Sequence, residues 1–152
     1  MKKLILTSLL ALASFITAPV QAATSTGNFT LTVNLLGACK FTTTVGNITL
    51  PYTAFGAAQS ATSDFAVLCS QGLAYTMSLS STSGTLLGLP YTLGIFDSTG
   101  TTAATGGTQA SNATPTSYKV KASIAADQQG VCASSSTACS ATTAAQVLTI
   151  TY

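Results

Sequence analysis

The residues that could do chemistry in this chain are few and scattered. The sequence has five tyrosines, five lysines and three acids, and it contains no arginine, glutamate or histidine. General acid–base catalysis usually draws on His, Glu, Asp, Lys or Tyr held close to a reacting group. The acids Asp64, Asp97 and Asp127 are far apart in the sequence and belong to no catalytic cluster. The sequence therefore predicts that the protein is not an enzyme.

The aspartates and lysines have simpler structural interpretations. Asp97 begins an Asp-Ser-Thr-Gly stretch, which aspartic proteases also contain, but a single copy in a Thr- and Gly-rich region favours a turn in which the aspartate bonds to its own backbone. Lys119 and Lys121 alternate with Val120, which places both lysines on one face of a strand. We predict that this face meets solvent and that the lysines protect a sheet edge.

The four cysteines are Cys39, Cys69, Cys132 and Cys139. An even number of cysteines in an exported chain predicts disulfides, and four cysteines allow three connectivities. Pairing nearest neighbours in the sequence, Cys39–Cys69 and Cys132–Cys139, is the most economical choice. A zinc site is not favoured because the chain has no histidine and no CxxC pair. We predict neither a metal nor another cofactor.

Residues Met1–Ala22 are predicted to be a secretory signal peptide. Lys2 and Lys3 precede the apolar stretch Leu4–Ile16, and small residues follow at the cleavage positions. Removing this segment leaves three lysines and three aspartates, a formal net charge of zero. Such a chain has no basic surface for nucleic acid. It also has little charge to oppose self-association.

The elements that would position any functional residue are predicted to be strands. The stretch Gly27–Leu35 alternates apolar and polar residues, and alternate side chains of a strand point to opposite faces. Its apolar positions are Phe29, Leu31, Val33 and Leu35. The pattern permits two interpretations. The stretch is either the first strand of a sheet in its own chain or a strand that pairs with a neighbouring molecule.

Seven further strands are predicted after the first cysteine region. No stretch has a sustained helical period, and short strands separated by Gly-, Ser- and Thr-rich turns predict an all-β antiparallel sandwich or barrel. The last strand places Leu148, Ile150 and Tyr152 on one face. Residues 98–117 are predicted to be a loop with at most a weak strand. The strands are Lys40–Val45, Asn47–Leu50, Ser63–Cys69, Leu73–Leu79, Leu89–Phe96, Tyr118–Ile124 and Gln146–Tyr152.

The order of these features resembles the spore coat protein U domain family, the fold of pilin subunits in archaic chaperone–usher pili. The resemblance spans essentially the whole chain after the signal peptide. It rests on a strand ending at a cysteine, a second such strand with a polar turn and another strand behind it, a central Leu-Pro-Tyr-Thr-Leu stretch, and the final strand. These pieces are Phe29–Cys39, Phe65–Cys69 with Tyr75–Leu79, Leu89–Phe96 and Leu148–Tyr152.

The resemblance implies an incomplete immunoglobulin-like antiparallel β-sandwich, completed by a strand donated from another molecule. Residues 23–36 would be the donor segment, and residues 37–152 the incomplete domain. Phe29, Leu31, Val33 and Leu35 would fill a neighbour's groove, and Leu148, Ile150 and Tyr152 would border the groove of this chain. The implied partners are further copies or related pilin subunits, with a periplasmic chaperone and an outer-membrane usher during assembly.

The expected function is that of a structural subunit of a surface pilus serving adhesion or biofilm formation. The expected location is the bacterial cell surface, reached through the periplasm. Two alternatives remain open at this point. One is a secreted spore or cell coat protein of the same fold, and the other is a small surface-binding adhesin.

Overall fold

The computed structural model describes residues 23–152, so the predicted signal peptide lies outside the described residues. The chain divides into two units, residues 1–34 and Leu35–Tyr152. The described part of the first unit, residues 23–34, contains no strand or helix. Within residues 23–152 no helix is long and apolar enough to cross a membrane.

The second unit is all-β, as the strand patterns predict, and its described residues form eight strands. Most of them are short, and Gly, Ser, Thr and Asn dominate the turns between them, where these residues satisfy the backbone locally. The strands are β1 (Cys39–Thr43), β2 (Gln59–Cys69), β3 (Ala74–Leu79), β4 (Ser83–Leu86), β5 (Leu89–Asp97), β6 (Gln109–Ala110), β7 (Thr116–Ile124) and β8 (Leu148–Thr151).

The strands form two antiparallel sheets. The larger sheet has the order β1-β2-β7-β5-β4, and the smaller one has the order β6-β3-β8. The longest ladder joins β2 to β7, from Gln59 opposite Ile124 to Val67 opposite Thr116. This register places the apolar residues of both strands on the same inner face, because the side-chain period of a strand is two.

Side chains from both sheets form one buried cluster, which makes the fold a sandwich. Phe65 and Val120 come from the larger sheet and Met77 from the smaller one. The hydroxyls of Tyr75 and Tyr118 meet across the core at 2.7 Å. Burial and this hydrogen bond both raise the pKa of Tyr118 far above its ordinary value, so Tyr118 keeps its proton, and the bond links the two sheets.

Residues 102–110 close one side of the sandwich. The N–H of Ala104 donates to the carbonyl of Ile95 in the larger sheet, and two residues later the N–H of Gly106 donates to the carbonyl of Met77 in the smaller one. β6 then continues along β3. The chain therefore passes from one sheet to the other and covers the core between them.

The sequence predictions differ from the structure at several places, among them the start of β2, which is Gln59 and not Ser63. β4 was not predicted, because Ser83–Leu86 has no alternating pattern, and residues 47–50 are not a strand. The assignment of Lys119 and Lys121 to edge protection is wrong, because β7 lies between β2 and β5. Their outward direction is as predicted. The Lys119 ammonium pairs with Asp64 on β2, and the Lys121 ammonium lies 5.6 Å from the centre of the Phe96 ring.

Candidate functional site

The strand β8 is hydrogen-bonded along one edge only. It pairs antiparallel with β3, from Leu148 opposite Leu79 to Thr151 opposite Thr76, and it ends the smaller sheet. Among the described residues no strand pairs with its second edge. A free edge presents unpaired N–H and C=O groups that can receive another strand.

The strand β1 is the corresponding edge of the larger sheet. It pairs with β2 only, and the Cys39–Cys69 disulfide joins the two strands at one end of their ladder. The second disulfide is Cys132–Cys139, so the structure has both of the favoured pairings. Residues 102–110 close the side formed by β5 and β3, and the free edges of β1 and β8 are on the opposite side of their sheets.

The core is less covered on this opposite side, which we call the open side. Phe41 of β1 and Leu148 and Ile150 of β8 are directed at the core but are only partly buried. In contrast, Ile95 and Met77 have exposed fractions of 0% and 1%. The predicted groove residue Tyr152 lies beyond the end of β8 and is 60% exposed. Of the three predicted groove residues, the strand therefore contains two.

Residues 27–35 carry the apolar row that the alternation predicts. They are outside every strand, and the exposed fractions of Phe29, Leu31, Val33 and Leu35 are 91%, 82%, 75% and 84%. Leu36 is 91% exposed as well. The sequence analysis did not single it out, because it falls on the polar side of the alternation. Large apolar side chains exposed in a row are unusual in a monomer and are typical of an interaction site.

The Asp97 carboxylate is used structurally. Its Oδ1 accepts hydrogen bonds from the hydroxyl of Thr99 at 2.7 Å and from the N–H groups of Thr101 and Thr102 at 3.1 and 3.3 Å. The Thr99 hydroxyl is the largest cause that lowers the pKa of Asp97, to about 2. The predicted turn is confirmed, because Oδ1 of Asp97 accepts hydrogen bonds from its own loop.

We find no other cluster of potentially catalytic or metal-binding side chains in the part of the chain that the structure describes. Residues 23–152 contain no set of three or more His, Cys, Asp or Glu side chains placed to hold a metal ion. A depression of about 510 Å3 lies between the start of β2 and the start of β5 and is lined by Gln59, Tyr91 and Lys121 among others. Its lining contains one charged group, Lys121.

Comparison with known proteins found no match, either to a family model or to a curated protein. The resemblance to spore coat protein U domains therefore stays a prediction. The candidate site of this protein consists of the open side of the sandwich and the exposed apolar row of residues 27–35.

Proposed function

We propose that this protein is a structural subunit of a surface fibre, in which residues 27–35 of one subunit complete the open side of the next. In this scheme the sandwich is an incomplete immunoglobulin-like domain. A periplasmic chaperone supplies a temporary strand, and an outer-membrane usher exchanges it for the segment of a neighbouring subunit. The assembled fibre would serve adhesion or biofilm formation at the bacterial cell surface.

One pair of observations carries the proposal: β8 has a free edge with a partly covered core beside it, and the same chain carries four exposed apolar side chains at strand spacing. A donated strand would form backbone hydrogen bonds with the free edge of β8. Its apolar side chains would cover the exposed part of the core. A contact of this head-to-tail kind does not close on itself, so repetition produces a filament.

The free energy gained from a donated strand is large enough for assembly to determine whether the subunit folds. Burying four such side chains contributes roughly 1.5–3 kcal/mol each, or about 6–12 kcal/mol together. Ladder hydrogen bonds add about 0.5–1.5 kcal/mol each. The entire free energy of unfolding of a typical domain is about 5–15 kcal/mol. A donated strand can therefore set whether the subunit is folded at all.

The local backbone before β1 favours donation to a neighbour over return to the same sandwich. The N–H of Ser70 donates to the carbonyl of Ala38, which extends the β1–β2 ladder beyond Cys39. A tight hairpin back along β1 would need positive φ at its central residues, and Gly37 does not have it. A Cβ at Gly37 would lie 3.3 Å from Leu73, so the chain is also closely packed there.

The two disulfides agree with an exported protein. Disulfides persist in oxidising compartments such as the periplasm and the cell exterior. That the exported protein is then assembled into a fibre is part of the proposal.

Deleting residues 23–35 tests the donor assignment. The truncated chain can accept a strand but cannot donate one, so it should form no fibres alone and should shorten fibres when it is produced together with the full chain. Electron microscopy of the exporting cells measures both results. Fibres of normal length from the truncated chain alone would show that another segment joins the subunits, and cells with and without the gene provide the reference.

A pair of adjacent substitutions separates the side-chain row from the segment as a whole. Val33→Asp places a charge in the apolar row and should block joining, whereas Thr32→Asp places the same charge on the polar side and should be tolerated. Fibre yield per exported subunit is the measurement. Equal losses from the two variants would contradict the alternation on which the proposal depends.

A further inference from the structure

One end of the sandwich carries exposed apolar side chains on turns, apart from the open side. We call it the turn end. It consists of residues 52–56, 86–89 and 125–131, which backbone hydrogen bonds hold together: the N–H of Phe55 donates to the carbonyl of Gln128, and the N–H of Val131 donates to the carbonyl of Leu87. Phe55 and Val131 are each 69% exposed, and Leu87 is partly exposed.

The backbone of the turn end is strained where it presents these side chains. Phe55 and Leu87 have φ values of 59° and 51°, in a region that bulky residues rarely adopt. Val131 packs over Gly88, where a Cβ would come within 2.8 Å of its Cγ2. Strain of this kind persists only where the surrounding structure enforces it, and it is often found at functional positions. A tight turn needs neither phenylalanine nor leucine at such a position, so their presence requires another reason.

The direction of a donated strand brings this end to a second subunit. β8 runs from the turn end to the opposite end, where Ala38 bonds to Ser70. The smaller sheet is antiparallel throughout, so an added strand is expected to run antiparallel to β8. Phe29 would then enter at the far end of the acceptor, and Leu35 would leave at its turn end.

The chain between the donated row and the donor's own sandwich is short. From Leu35 to Cys39 it spans four residues, which reach at most about 14 Å when fully extended. The turn end of the acceptor and the Ala38 end of the donor must therefore lie against each other. Leu36 is in this linker, is 91% exposed, and lies outside the alternating row that would fill the groove.

We propose, on the basis of the proposed fibre function, that each joint contains a second apolar contact, in which Phe55 of the acceptor receives Leu36 of the donor. The partner is a second copy of this chain. The contact gives Leu36 an apolar partner that the groove does not offer. It also restricts the angle between successive subunits, because it holds them at a point away from the donated strand.

Site-specific photo-crosslinking in assembled fibres tests this contact. Phe55 is replaced by p-benzoylphenylalanine in the full chain, and a matched control carries the same probe at Thr62, which is exposed on β2. Irradiated fibres of the Phe55 variant should yield a covalent dimer, and mass spectrometry should place the bond in the peptide that contains Leu36. The control should yield no bond to that peptide. Adding Leu36→Ser to the Phe55 variant should remove most of the dimer while fibres still form.

The outcomes separate the two proposals. Fibres in which Phe55 crosslinks to nothing, to a different protein or to another part of the chain would overturn the second contact alone. A dimer undiminished by Leu36→Ser would overturn it as well. If the unsubstituted chain forms no fibres, the proposed function fails, and the contact fails with it.

Discussion

The two sides of the sandwich contain similar residues but differ in how completely the core is covered. On the side formed by β5 and β3, residues 102–110 connect the sheets, and Ile95 and Ala104 are buried to 0% and 5% exposure. On the side formed by β1 and β8, Phe41 and Ile150 remain partly buried. Within residues 23–152 the backbone thus covers the core on one side only. We call the first side the closed side, in contrast to the open side.

This contrast separates two sources of stability. On the closed side, apolar burial and hydrogen bonding are both supplied within residues 35–152, so they should be present in an isolated subunit. On the open side, the proposal assigns the missing part to another molecule. Changes on the closed side should therefore act on every form of the protein, whereas changes on the open side should act mainly when a strand is bound.

The largest expected effect is the gain in stability when an added strand closes the open side. A synthetic peptide of residues 26–36 added to the chain that lacks residues 23–35 should bury four apolar side chains, worth about 6–12 kcal/mol before the costs of ordering the peptide. The thermal midpoint should rise by several degrees for each net kcal/mol. Differential scanning calorimetry with increasing peptide is the measurement.

A peptide carrying Leu31→Asp and Val33→Asp is the matched control for this experiment. It keeps the backbone groups that could pair with β8 but loses half of the apolar row, so it should raise the midpoint little. A midpoint unaffected by saturating wild-type peptide would mean that the sandwich needs no added strand. The comparison between the two sides would then have no functional meaning.

A matched pair of isoleucines gives the next effect. Ile95→Ala on the closed side should lower the free energy of unfolding by about 2–5 kcal/mol, because it leaves a cavity that cannot relax. Ile150→Ala on the open side should cost less, about 1–2 kcal/mol, because less of its surface is removed from water. Denaturant unfolding of both variants measures the difference.

The bound peptide should then reduce the difference between the two isoleucines. With the strand in place Ile150 becomes a core residue, so its substitution should approach the cost of Ile95→Ala. An Ile150→Ala variant that already costs as much as Ile95→Ala without peptide would show that the open side is fully packed in the isolated chain.

Much of the buried core could be predicted from the sequence, because alternation marks strands buried on one face. Phe65, Val67 and Cys69 alternate on β2 and are all buried, and Tyr118, Val120 and Ile124 do the same on β7. Residues 102–110 could not be predicted, because their hydrogen bonds to Ile95 and Met77 are made by backbone groups and by the hydroxyl of Thr105, which is one threonine among many in this region, and they leave no alternating pattern of side chains. The position of β7 between two strands was missed for a related reason. Lysines on the outer face of a central strand look like edge lysines in a sequence.

The candidate site was predictable only in part. The apolar row of residues 27–35 shows the same alternation as a core strand, and alternation alone does not say whose sheet receives it. Leu148 and Ile150 were placed on one face, but their incomplete burial depends on the order of strands in two sheets, which is a tertiary property. Phe55 and Leu87 gave no signal, because a positive φ at a non-glycine residue is set by the surrounding turns.

The two disulfides provide a smaller difference between regions. Cys39–Cys69 holds the open-side strand β1 to the rest of its sheet across a sequence separation of 30, and Cys132–Cys139 closes an exposed loop with a separation of 7. On the loop-entropy model their removal costs about 3–4 and about 2–3 kcal/mol. Replacing each pair by serine and measuring denaturant unfolding gives the two values. Beyond stability, only the loss of Cys39–Cys69 should weaken peptide binding, because β1 borders the open side.

The smallest expected effect is the loss of stability in acid, which should arise on the closed side. Asp97 begins the turn that leads into residues 102–110, and its pKa is lowered to about 2 because the Thr99 hydroxyl and the N–H groups of Thr101 and Thr102 favour the charged form. A carboxyl group with a lowered pKa in the folded state stabilises it above the pKa of the unfolded chain and loses that contribution as the pH falls. The loss should therefore occur from about pH 4 down to about pH 2.

The variant Asp97→Asn retains an acceptor oxygen but cannot ionise, so its stability should change less over this interval than that of the parent chain. Denaturant unfolding at several pH values measures the difference. Parallel curves for the two chains would mean that the turn holds residues 102–110 without help from the carboxylate charge.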